Sequence, residues 1–216
     1  MKLKVTIPES LSEITLGQYQ RYFKFQNEQQ DDNLLATKMV EIFCRLSHKD
    51  VMSMQLTDVF SITGIISEMF DTKPTLVRKF KMDGVTFGFI PNLDKISFGE
   101  YIDLDLYLGD WENIHKAMAV LYRPIQNSYG NKYNIIPYEP EGQEAMSNMP
   151  MDAVMSSVIF FYHLGIDLSQ TMVNYLMEQE ESNLVQYLSS LPNGVGTPQF
   201  TTSLKGILEG LKISLN

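Results

Sequence analysis

The stretch from Ile96 to Ile125, ISFGEYIDLDLYLGDWENIHKAMAVLYRPI, decides how the rest of the chain is read. Phe98, Ile102 and Leu106 fall four apart; Trp111, Ile114, Met118 and Leu121 follow at intervals of three, four and three. Each set lies on one face of a helix, with Glu100, Asp103, Glu112 and Lys116 largely elsewhere. Ser97 with Glu100 offers a capping box for the first helix. Gly109 and Asp110 separate it from a second, expected to start at Trp111 under an Asp110 cap. So many contact residues, without a recognisable catalytic constellation, point to packing and assembly rather than chemistry.

Working outward, the flanks add helices and a little sheet. Thr15 and Gln18 resemble another capping box, followed by Leu16, Tyr19, Tyr22 and Phe23 at helical spacing. Helices are expected over Asp32–Leu46 and near Thr57–Phe70. Lys2–Ile7 alternates polar and apolar residues before Pro8 and reads as a short edge strand. Leu76–Met82 and Val85–Ile90 flank Asp83-Gly84, a pair suited to a type I′ hairpin because both residues tolerate positive φ. The fold class is therefore mainly α with a small β element, a helical domain plus an antiparallel hairpin around Asp83-Gly84.

Residues 1–191 read as a single, mostly helical domain. Within it, Arg123–Pro140 carries Pro124, Gly130, Pro137 and Pro140 and is expected as a long loop. Its tyrosines suit either packing back on the domain or docking on a neighbour. Asp152–His163 is apolar on most sides and should be buried, with a further helix from Ser169 to about Glu180 and a short one over Asn183–Leu191. Residues 192–216 read as a linker, Pro192–Pro198, and a C-terminal amphipathic arm with Leu204, Ile207, Leu208 and Leu211.

Charge and motifs narrow the function. The formal charge is −9 over 216 residues, which disfavours nonspecific nucleic-acid binding, since that requires clustered cations. No apolar run reaches the roughly 20 residues a bilayer needs, and no signal-peptide segment opens the sequence. Cys44 is the lone cysteine and reads as a small core residue in a reducing or enclosed setting. Asp103-Leu104-Asp105 would point its carboxylates some 200° apart on a helix, too far to share one cation. Glu112-Asn113-Ile114-His115 lacks the first histidine of a zinc motif, and His115 is expected on a helix surface. Asp103, Asp105, Glu112 and His115 are the only tight polar group an enzyme could draw on. No catalytic, metal or cofactor-binding residue is assigned. Thirteen methionines suit core filling or an adaptable partner surface, Met146, Met149, Met151 and Met155 clustering around Pro150. The candidate interface residues are Trp111, Tyr129, Tyr133, Tyr138, Met149, Met151, Phe200 and Leu204.

The run FGEYIDLDLYLGDWENIHKAMAVLYRPI (98–125), with ITLGQYQRYFKF (14–25) more faintly, resembles small head–tail connector, tail and assembly proteins of tailed bacteriophages, including the crAss-like group. That resemblance implies a non-enzymatic virion or morphogenesis component. It would be a structural subunit of the neck or tail, or alternatively an assembly chaperone or packaged cargo protein. The expected partners are copies of itself in a ring and the portal and tail proteins around it, in the particle assembled in the host cytoplasm. Closed rings use heterologous contacts, which suits a domain with loops and a terminal arm.

Overall fold

The computed structural model describes residues 4–130 and 132–178. It is mainly helical with one small antiparallel sheet. Four helices come first: α1 (Leu16–Glu28), α2 (Asp32–Phe43), α3 (His48–Met52) and α4 (Leu56–Phe70). Strands β1 (Lys79–Met82) and β2 (Val85–Phe89) follow, then α5 (Phe98–Tyr107) and α6 (Ile114–Leu121). Strands β3 (Tyr122–Tyr129) and β4 (Lys132–Ile135) complete the sheet, and α7 (Met151–Glu178) is the longest helix described.

Local chemistry sets these boundaries. At α1 the Thr15 hydroxyl accepts from the Gln18 amide at 3.2 Å while the Gln18 side chain accepts from the Thr15 amide at 3.0 Å, so two orphan donors are satisfied. Asp31 caps α2 in a related way, accepting from Asn33 and Leu34. Asp83 and Gly84 take φ of +50° and +79°, the left-handed pair that a two-residue hairpin requires. The strands form a meander in the order β1-β2-β3-β4, with Phe80 opposite Phe87, Gly88 opposite Arg123 and Phe89 opposite Tyr122.

One core joins the helices to the sheet. Tyr19 packs on Trp111 with ring centroids 4.8 Å apart and on Phe70 at 5.3 Å, which binds α1, α4 and the α5–α6 turn together. The first half of α7 is the central element: Met151, Ala153, Val154, Met155 and Val158 have no exposed surface. It is tied to the sheet by hydrogen bonds. Tyr122 donates to the Val77 carbonyl at 2.7 Å, the Ser157 hydroxyl lies 2.9 Å from the Tyr122 oxygen, and the Val77 amide donates to Ser156 at 3.1 Å. The Leu16 amide donates to the Met149 carbonyl and the Met151 amide to Ile14, both at 2.8 Å. These bonds pair the segments that lead into α1 and α7, with Thr15 bridged to Pro150.

Several expectations change here. Arg123–Pro140 is not a loop throughout, because β3 and β4 occupy most of it. Pro124 sits in β3 opposite Phe87, and proline lacks only the donor, so strand geometry is tolerated there. Lys4–Ile7 joins no ladder. Its alternation survives only as Val5 and Ile7 packing on the core. The segments expected as separate helices over 152–163 and 169–180 are one helix through Glu178. Asp110 accepts from the Glu112 amide at 2.9 Å, but α6 starts three residues later than expected, at Ile114. Asn183–Leu191, the linker and the C-terminal arm, with Phe200 and Leu204, lie outside the described residues.

Two glycines give opposite tests of this packing. A Cβ on Gly88 would stand 2.9 Å from Ile125 Cγ1 and closer still to the Tyr133 ring, whereas nothing lies within 4 Å of one on Gly64 in α4. Gly88→Ala should lower stability by about 1–3 kcal/mol through overpacking. Gly64→Ala should raise it by roughly 0.5–1 kcal/mol, because glycine weakens a helix interior. Urea unfolding of both variants checks the two signs together.

Candidate functional site

α5 is an amphipathic helix turned with its polar side inward. Ser97 caps it, accepting from the Glu100 amide at 3.3 Å, while one Glu100 oxygen accepts from the Ser97 amide at 2.6 Å. The other Glu100 oxygen pairs with the Arg123 guanidinium at 2.7 Å, and both side chains are buried. Burial alone pushes the Glu100 carboxyl up. The Ser97 hydrogen bonds and the Arg123 charge outweigh it and hold the group below the usual carboxylate range. One turn on, Asp103 accepts from the Tyr138 hydroxyl at 2.7 Å, and Gln143 donates to that same hydroxyl. Burial and the Asp103 carboxylate push the Tyr138 phenol well above its ordinary value.

With Glu100, Asp103, Leu104 and Leu108 held on the inner side, the stripe Phe98, Ile102, Leu106 faces solvent. Phe98 is 78% exposed, Leu106 61% and Ile102 45%, and Tyr101 lies beside them at 41%. Along one edge the stripe runs into a groove of about 170 Å³ lined by Leu93, Ile96, Tyr101, Leu104, Asp105 and Phe161. Among the described residues Asp105 is its only charged lining residue. A helix face this apolar gains about 1.5–3 kcal/mol for each large side chain it buries completely, which water denies it in the monomer.

The residues expected at an interface divide sharply. Trp111, Met149 and Met151 are core residues, buried by α1, α4 and the Ile14–Leu16 segment, and so present no contact surface. Tyr133 is half-buried on its own sheet. It lies over Gly88 and donates to the Phe89 carbonyl at 2.7 Å, while Lys79 stands over its ring. Tyr138 is half-buried and engaged by Asp103. Tyr129, at the end of β3, is 76% exposed and alone among the described candidates presents a free aromatic face. The α5 stripe was legible as apolar spacing; its outward direction was not, because that depends on Arg123 and Tyr138, 23 and 35 residues away.

The tight polar group does not converge. Asp103 is bonded to Tyr138, Asp105 lines the apolar groove and Glu112 is exposed on a turn. His115 is buried in α6, not on a helix surface, with Nδ1 3.1 Å from the Gln20 amide nitrogen. A second cavity, about 230 Å³, lies among Arg123, Pro137, Tyr138, Gln143 and Met146; among the described residues no histidine or cysteine lines it, and Arg123 pairs with Glu100 through Nη1 while its buried Nε has no hydrogen-bond partner among them. Among the described residues no helix is long and apolar enough to cross a membrane.

The Glu100–Arg123 pair sets a pH test. Because the carboxyl is held below its unfolded value, its contribution is present above about pH 4.3 and fades as the pH falls through the lowered folded value. Glu100→Gln should cost roughly 3 kcal/mol at pH 7 by leaving Arg123 buried without its counter-charge. That deficit should narrow towards pH 3. Thermal melts of both proteins across this range measure it.

No protein-family model, curated protein or solved structure matches the chain.

Proposed function

We propose that this protein is a non-enzymatic structural subunit of a tailed-bacteriophage particle, in the neck, connector or tail ring. It would work through contacts with copies of itself and with portal and tail proteins. The observation that carries this reading is the outward stripe Phe98, Tyr101, Ile102 and Leu106, an apolar face held open by buried polar bonds on the opposite side of the same helix. Within a monomer the apolar side chains of that stripe stay in water, whereas a subunit interface would bury them. The exposed Tyr129 at the end of β3 supplies a second projecting contact. The phage-like pattern read in Phe98–Ile125 from the sequence alone spans this helix and is part of the same proposal.

The chemistry of the face sets the test. Phe98→Asp and Leu106→Asp change exposed side chains, so the fold should survive while association fails. Full-length protein is expected to form a closed oligomer by light scattering, and each variant to remain monomeric with an unchanged circular dichroism spectrum. Mass spectrometry of purified particles of the encoding phage should find the chain at a fixed ring stoichiometry. Its absence from finished particles would transfer the assignment to an assembly chaperone; variable copy number would transfer it to packaged cargo.

A further inference from the structure

We infer that the α5 face is the acceptor for the C-terminal segment Thr201–Leu215 of a neighbouring copy, so that subunits are linked head to tail by this arm. The inference rests on the assembly reading above and names the partner of that face. A closed ring needs two different complementary surfaces on each subunit, one donating and one accepting. The α5 face qualifies as acceptor: Phe98, Ile102 and Leu106 form an apolar ridge beside a narrow groove floored by Leu104 and Phe161. Its charge is acidic. Asp105 lines the groove, and no basic residue of α5 offsets it, while Glu100 and Asp103 are engaged on the inner side.

The donor is complementary in pattern and in sign. In the sequence Leu204, Ile207, Leu208 and Leu211 recur at the spacing of one helical face, and Lys205 and Lys212 fall on the flank of that face. Such a segment can lay its apolar residues along the ridge and bring a lysine to Asp105, the helix-in-groove mode of recognition. The chain is long enough to cross a subunit boundary. Between Glu178, the last described residue of α7, and Leu204 the sequence has enough residues to span up to about 85 Å at full extension.

Disulfide trapping in the full-length chain tests this directly. Native Cys44 is buried and its thiol is pushed up to about 11, so it stays out of the exchange. Chains carrying Leu106→Cys are co-expressed with chains carrying Ile207→Cys and oxidised. A mixed dimer between the two is expected, forming about tenfold faster than the pair Leu56→Cys with Ile207→Cys, because docking raises the effective thiol concentration. Leu56 on α4 is a fair control, being 66% exposed. Adding Asp105→Lys should slow the trapping several-fold at low salt and much less at high salt. Three results would overturn the inference. These are no trapping above the control, dimers of Leu106→Cys chains alone, or a cross-link confined within a single chain carrying both substitutions. Light scattering of the wild-type chain keeps the two readings apart: an oligomer without the trapped pair removes the arm and leaves the ring, whereas a monomer removes both.

Discussion

The Glu100 carboxylate is the point on which the outward face depends. One oxygen closes the capping box that starts α5, and the other meets Arg123 at the start of β3. A helix begun by Ser97 could rotate about its axis to bury Phe98, Ile102 and Leu106, and burial of apolar area would favour that. The rotation would strand Glu100 in water and leave the Arg123 guanidinium in the interior without its partner. The cost of an uncompensated buried charge competes with what three part-exposed side chains would gain, and so the charge sets the orientation. Arg123 in turn is placed by the sheet, because its neighbour Tyr122 pairs with Phe89 and bonds across to Val77.

Much of the architecture could be read from residue patterns. The Thr15–Gln18 and Ser97–Glu100 boxes, the Asp83-Gly84 turn, the stop at Gly109 and the burial of Val154–Val158 are set by neighbours in sequence, and they stand as expected. What could not be read depends on partners far away. Pro124 and Gly130 look like loop punctuation, yet β2 offers an edge on which β3 can pair, and Tyr133 fits only because position 88 has no side chain. Trp111, Met149 and Met151 were attractive as contact residues because of their type. Nothing local says that Tyr19 and the Ile14–Leu16 backbone already occupy them.

The site followed the same division. Spacing identified the α5 stripe as a face, and the hydrogen-bond partners of Glu100 and Asp103 decided which way it turned. His115 shows how residue type can mislead: a histidine on an amphipathic helix suggests a wet surface, but Gln20 reaches across from α1 to Nδ1 of its ring and to the adjoining carbonyls of Trp111 and Glu112, and Nε2 lies 3.4 Å from Glu144. Asp103 and His115, at the two ends of this polar run, are therefore engaged in holding elements together.

The pairing of Ile14–Leu16 with Met149–Met151 joins the two ends of the helical core across about 135 residues of chain. On the ribosome, α1 through α6 emerge before the helix that fills their centre exists. Until residues near 158 leave the exit tunnel, Tyr19, Ile66 and Met118 have no complete interior to enter. Nascent chains of this protein thus face a long interval of exposed apolar surface, and synthesis rate and cellular holdases govern how many survive it.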